Sequence, residues 1–500
     1  MAKMKKNIFK KIFGTLLIIG ALVSCEDQLE MYPVAEFAPG NALQNEDGIE
    51  ALLFSAYNNY TPGSSVRTDI LINEVTTDVG RVRIGAVERE MKPFMDFNWD
   101  ASTNHLGGLF WTRPYTAIRN ANTLLDNIDN SDVDEDFKKM VVAEARYIRA
   151  YCYTDMYKYF GPVPLRTTAD LTVQPKELGL PTEEEFRSFI ETELNAAAQD
   201  LLDPAAQTQV GRATKGHAYA ALTKFLMNTK QWSKVVDATQ DVMNLNYYEL
   251  FPEYRAAFFV VNEPQTNAAN KEMIVTWSLK NESGGYNNDY QNGAFPPGFR
   301  TSDNIPEFEW IVGMANWPTQ FSMRDGFVDS FDPNDARKQT IIEDYYNAGG
   351  NLVNLRTANT DNCRSLKYFD NEQTGNFSGC DVPYIRYADI LLCRAEALNE
   401  LNGPTQESVD LINQIRNRAK VTPYTLADVG DKASFRDLIL DERGWEFFSE
   451  GKRREDLIRH GKFLEYAEDR GLTTSPEQVY FPYPLAEVDA NTALDQREGY

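Results

Sequence analysis

The chain has 500 residues, a formal charge of −24, 42% hydrophobic residues and 12% aromatic residues. That composition can bury a large core and excludes a disordered chain, and so acidic a balance repels nucleic acid and anionic lipid, which removes both as partners. Length alone would accommodate about three domains, but no Pro/Gly/Ser linker divides the chain, so residues 25–500 read as one large domain with long loops.

Residues 1–24 are a signal peptide. Lys3, Lys5, Lys6, Lys10 and Lys11 form a basic start, and Ile12 to Val23 form an apolar stretch too short to span a bilayer permanently. Leu22-Val23-Ser24-Cys25 is similar to a bacterial lipobox, in which Cys25 is acylated and becomes the first mature residue. The chain is then anchored to a membrane without crossing it. An ordinary signal peptide with a chance cysteine is the alternative. Loss of the five lysines takes the charge from −24 to −29, since residues 1–24 hold no acid.

Helical spacing dominates both ends of the remaining chain. After a loop expected over 70–100, Trp111, Tyr115, Ile118, Leu125 and Ile128 mark a first helix. Ala143 to Phe160 is a second, stopped by Gly161-Pro162-Val163-Pro164. Thr182 and Glu185 form a capping box that opens a third, running to about Leu202. Ala213–Met227 and Trp232–Asn244 read as a close pair, with Ala218, Ala220, Ala221 and Ala238 where two helices approach. Tyr387–Leu401 and Glu407–Ala419 make another such pair. Pairs of this length look like tetratricopeptide units, which need neighbours to bury their faces. The expected fold is therefore mainly α, with a curved helix-pair wall over about 105–245 and 385–465.

Between about 246 and 380 the chain is rich in Asn, Gly, Pro and aromatics, with one clear strand at Met273–Leu279. Loops of this length within a compact domain are usually functional. Residues 284–293 set Tyr286 and Tyr290 among five amide or acid side chains, including Asn288, Asp289 and Asn292. A sugar ring offers an apolar face for stacking and a rim of hydroxyls for hydrogen bonds, so this is glycan-binding chemistry. Phe295, Phe299, Trp310 and Trp317 follow, and Trp99, Arg81 and Arg83 can join from the N-terminal loop. Most aromatics in any such set belong to a core, so the expectation attaches to the group.

Cys363 and Cys380 flank the turn-rich stretch Asn371–Gly379 and are a candidate disulfide in an exported protein. Cys152 and Cys393 lie in apolar helical patterns and read as buried thiols. His105, His217 and His460 are far apart, with no second ligand at metal spacing, so no zinc site is expected. Glu442, Glu446 and Glu450 recur every four residues, but Arg443, Arg453 and Arg454 in the same segment would depress their pKa values and spoil a glycosidase acid. An ion network is the better reading.

The segment Ala143–Tyr151 running to Tyr159-Phe160-Gly161-Pro162-Val163-Pro164-Leu165 resembles the hallmark helix of the SusD/RagB family of outer-membrane nutrient-binding lipoproteins. Upstream, Trp111 with Tyr115, Ile118 and Ala121-Asn122, and Glu74 with Thr77-Asp78, are similar to earlier family blocks. Downstream, so are Arg386–Leu392 with Glu396-Ala397, Ile412-Asn413 with Ile415-Arg416, and Glu442-Arg443 with Glu446-Phe447, Glu450-Gly451 and Asp456-Leu457. The end, Tyr483-Pro484-Leu485 with Glu487, Asn491, Leu494 and Gln496, also matches, with Thr492-Ala493 where proline is common. The resemblance implies a non-enzymatic protein, without cofactor, that binds glycans or in some cases peptides and sits as a lid on a SusC-like TonB-dependent transporter. It also implies a tetratricopeptide-like wall on the transporter side and ligands on loops of the irregular half. Glu26-Asp27 after Cys25 is similar to the acidic signals that send such lipoproteins to the outer face of the outer membrane. No ligand residue carries across from these structural blocks. A peptide-binding or mainly structural lid, and more remotely a glycoside hydrolase, are the alternatives.

Overall fold

The structure is a computed structural model that describes residues 43–63, 66–83, 85–282, 286–305, 310, 314, 321–370, 372–373, 375 and 377–500. Residues 1–42, with Cys25, and Trp317 lie outside them.

Helices form where spacing and end chemistry coincide. From the N-terminal side they are α1 (Glu46–Tyr60), α2 (Val66–Val75), α3 (Ala86–Met95), α4 (Arg113–Asn127), α5 (Glu135–Phe160), α6 (Glu183–Asp200), α7 (Lys215–Asn228) and α8 (Trp232–Asn244). Asp134 accepts from the Asp136 and Phe137 amides to start α5, and Gly161 ends it at φ 64°, a left-handed turn that glycine adopts without a Cβ clash. Thr182 and Glu185 close the expected capping box on α6. The alanines of α7 and α8 are buried, and a Cβ on Gly216 would lie 2.0 Å from the Tyr248 hydroxyl, so only glycine fits there.

After the loop-rich half come α9 (Tyr387–Asn402), α10 (Gln406–Arg418), α11 (Lys432–Phe447), α12 (Arg453–Arg459) and α13 (Phe463–Asp469). Packing runs α1 and α4 on α5, then α5 to α6, α6 to α7, α7 to α8, and from α8 directly to α9, which packs on α10 and α11. One helical wall therefore continues across the excursion 245–386. Arg394 of α9 fastens the joint by donating to the Val236 carbonyl of α8 at 2.9 Å. The segment 70–100, expected as a loop, instead holds the end of α2 and all of α3, because Ile70, Leu71, Ile72, Val87, Met91 and Phe94 bury apolar faces that polar punctuation around them obscures.

The loop-rich half carries small antiparallel sheets. Met273–Trp277 pairs with Val382–Arg386, Gly80–Arg81 with Ser322–Met323, and Asp344–Asn347 lies between Phe299–Thr301 and Leu352–Asn354. Arg386, at the end of its strand, joins this half to the wall. It meets Glu272 and Glu446 at 2.6 Å and Glu450 at 2.9 Å, all without solvent exposure. Arg337 meets Glu442 at 2.6 Å and Glu446 at 3.2 Å, Arg416 meets Glu442 at 2.8 Å, and Lys367 meets Glu450 at 2.6 Å. Burial alone would raise the Glu446 carboxyl, but Arg418, Arg386 and Arg337 outweigh it and hold it at about 2.

Candidate functional site

The segment expected to bind ligand folds inward. Asn288 is fully buried, donating to the Cys380 carbonyl at 3.1 Å and accepting from the Tyr290 amide at 3.1 Å. Tyr290 is buried and donates to the Ser449 hydroxyl at 2.7 Å, while the Asn292 amide oxygen accepts from buried Gln373. Phe295 stacks on Phe299 and meets Trp310 edge-on at 5.0 Å, with only Trp310 half-buried. Asp289, half-buried, faces Arg67 at 3.4 Å, and burial raises its carboxyl against the pull of Arg67. Tyr286 is half-buried against the core. Trp99 is 4% exposed, T-shaped against Phe481, and donates to the Tyr500 hydroxyl at 2.8 Å. Trp99, Asn288, Tyr290, Asn292 and Phe295 thus serve the interior, because amides and hydroxyls beside aromatics satisfy buried backbone as readily as a sugar rim.

The candidate disulfide is also absent. Cys363 and Cys380 are free and buried. The Cys363 carbonyl accepts from the Met323 amide and the Cys380 carbonyl from Asn288, which ties them to different parts of the sheet region. Near the turn-rich stretch between them Asp370, Gln373 and Ser378 are buried, while Glu372 and Gly375 are exposed. Cys152 and Cys393 are buried, as expected of small hydrophobes. Glu442, Glu446 and Glu450, fully engaged with cations in the interior, do not line a cleft. Among the described residues no group of three His, Cys, Asp or Glu side chains is placed to hold a metal ion, and no helix is long and apolar enough to cross a membrane.

Open space with sugar-binding chemistry occurs elsewhere. A cleft of about 490 Å³ lies between the Thr77-Asp78 turn, the segment 324–330 and helices α11 to α13. Trp445 and Tyr466, both half-buried, supply aromatic surface, and the Trp445 indole donates to the Ser330 hydroxyl at 2.9 Å. Arg453 crosses the wall and holds Asp78 in a two-pronged contact at 2.9 and 2.8 Å. Asp361, also lining the cleft, faces Arg81 at 3.3 Å, and Arg83 donates to the neighbouring Thr360 carbonyl at 3.2 Å. The structure thus brings Arg81 and Arg83 to this rim and leaves the 286–295 cluster out of it. Helical periodicity passed over Trp445 and Tyr466; the available signal was a tryptophan inside a charged block, on the same helix as buried Glu442 and Glu446.

A second groove, about 410 Å³, is lined by Trp111, Tyr115, Ile118, Leu171 and Leu494. Three of its polar side chains are already engaged: Asn122 with Arg149 at 2.7 Å, Asn491 with the Leu178 carbonyl at 2.8 Å, and Tyr115 with the Pro164 carbonyl at 2.6 Å.

A family model described as the SusD family matches residues 253–500, and one described as starch-binding associating with outer membrane matches residues 31–227. The chain is 27% identical to SusD-like protein P25 of Formosa agariphila, with 98% of this chain and 97% of the relative aligned. It is 22% identical to the starch-binding protein SusD of Bacteroides thetaiotaomicron, over 99% of this chain and 100% of that one. Among solved structures, a laminarin-binding SusD-like protein superposes with a TM-score of 0.76 at 21% identity, covering 91% and 100% of the two chains. A SusD superfamily protein of Parabacteroides distasonis gives 0.74 at 23% identity, covering 91% and 99%. With both halves matched, relatives aligned end to end and a continuous tetratricopeptide-like wall, the chain belongs to the SusD/RagB family.

Proposed function

We propose that this protein is a glycan-binding lipoprotein of the outer membrane, anchored through acylated Cys25 and facing the cell exterior, that passes captured glycan to a SusC-like TonB-dependent transporter. The observation that carries this reading is the end-to-end alignment with relatives whose names state starch, laminarin or surface-glycan binding. The cleft beside Trp445 supports it with an aromatic plane and planar polar side chains, the two elements that recognise a sugar ring. A few stacking contacts give weak affinity per sugar, and repetition along a polymer strengthens it. No catalysis is included, since the three recurrent glutamates are consumed by internal ion pairs.

The soluble protein beginning at Glu26 should be retarded in affinity gels containing one or more plant, host or microbial polysaccharides. Trp445→Ala should abolish that retardation while the circular dichroism spectrum stays unchanged. The inward folding of Asn288, Tyr290 and Phe295 favours one second reading, a lid that binds peptide or has little ligand affinity of its own. Absence of retardation by every polymer would select it.

A further inference from the structure

One end of the cleft beside Trp445 is built from two arginines that make no direct ion pair among the described residues, although Asp361 and Asp78 act on Arg324, and Asp78 on Arg470, through space. The Arg324 Nε and the Arg470 Nη1 both donate to a single acceptor, the Thr77 carbonyl, at 3.2 and 2.6 Å. Two guanidinium groups are thereby held side by side on the cleft wall. The acids around them make their direct contacts with other groups. Asp78 is taken by Arg453, and Asp361 by Arg81 and the Asp325 amide at 2.9 Å. Asp441 answers to Arg453 and Lys462, and Asp469, exposed at the end of α13, makes no ion pair with Arg470 among the described residues. Burial, and then the neighbouring Arg324 cation, lowers the Arg470 guanidinium to about 10 against the pull of Asp78, which leaves it charged at neutral pH, while burial lowers the Arg324 guanidinium and Asp361 opposes that. Like charges this close have a built-in appetite for an anion, and planar guanidinium forks match carboxylate and sulfate oxygens in pairs.

We propose that the Arg324–Arg470 end of this cleft receives an anionic substituent of a glycan, a ring carboxylate or a sulfate ester, while Trp445 takes the apolar face of the sugar. The inference rests on the glycan-binding reading and narrows it to acidic polymers. It also runs against the acidity of the whole chain. Asp78, Asp361, Asp441 and Asp469 line the same cleft, and only the more distant surface acids are screened beyond about 8 Å at physiological ionic strength, so the substituent must meet the two arginines at contact.

The test uses the soluble protein from Glu26 in affinity gels containing polygalacturonate or carrageenan, each beside its neutralised counterpart, methyl-esterified pectin or desulfated carrageenan, with laminarin and starch as neutral references. Stronger retardation by a charged polymer than by its counterpart is expected, and the preferred polymer identifies carboxylate or sulfate. Arg324→Gln and Arg470→Gln should each weaken that retardation at least tenfold, Arg470→Lys should restore part of it, and raising the salt should erase the preference. Equal retardation by charged and neutralised polymers, or binding of laminarin or starch alone, would overturn the inference and leave glycan capture standing. Absence of binding to any polymer by a folded protein would remove both.

Discussion

Tyr290, Asn292 and Phe295 in the loop-rich half, and Trp445, Tyr466 and Arg470 on or beside the terminal helices, come from the same set of aromatic and planar polar side chains. The first group is sealed inside, with the Tyr290 hydroxyl answered by Ser449 and the Asn292 amide oxygen by Gln373. The second lines open space. The difference lies in what surrounds each group. A segment with few regular hydrogen bonds of its own draws on side chains to satisfy its backbone, so its amides turn inward. A helix satisfies its own backbone and can leave a tryptophan at its surface. Loop composition alone is therefore a poor guide to a binding face in this molecule.

The sharpest way to break this comparison is to remove the link between the two halves. Arg386→Met strips Glu272, Glu446 and Glu450 of a shared buried cation, and should cost about 3–5 kcal/mol in urea unfolding. A small change would mean that the loop-rich half is held by packing instead. Next, Tyr290→Ala should cost about 3 kcal/mol, the usual cost of emptying an aromatic core position. Trp445→Ala should change stability by no more than about 1 kcal/mol and report only in glycan binding. Equal effects on stability would erase the inside–outside distinction.

Two titrations sharpen it further, with opposite signs. Glu446 is held at about 2, so its contribution is fully present above the ordinary carboxylate range and is lost as pH falls from about 4.3 through about 2. Glu74 is raised by burial to about 8, so the folded state keeps its proton where the unfolded chain releases it, and stability declines as pH rises from about 4.3 through about 8. Glu74→Gln should therefore raise the melting temperature at pH 9 more than at pH 5, while the acid limb of the curve stays unchanged. A further small effect belongs to the wall alone: Thr182→Ala should cost about 1 kcal/mol by opening the cap of α6.

The wall was legible because its signals are local. The Thr182 cap, the Gly161 stop and the period of Trp232–Asn244 each act within a few residues, and the α8 bounds match those read from spacing. The pairing of Glu442, Glu446 and Glu450 with arginines was legible in kind, though its partners Arg337 and Arg386 came from the distant loop-rich half. The cleft was not legible. Thr77, Arg324, Trp445 and Arg470 are separated by most of the chain and acquire a common role only once α11 to α13 fold against the Thr77-Asp78 turn. Cys363 and Cys380 misled for the same reason, since proximity in sequence says little about which neighbours two buried thiols acquire in the fold.

The direct contact between α8 and α9 has a kinetic consequence. The face of α8 that carries Val236 is completed by a helix that begins only at Tyr387. The first half of the wall can form from short-range contacts, whereas its completion requires a long excursion to close, which slows folding through the entropy of loop closure. Until then α8 presents an unfinished apolar edge, and this edge is where a chain stalled in folding would stick to its neighbours.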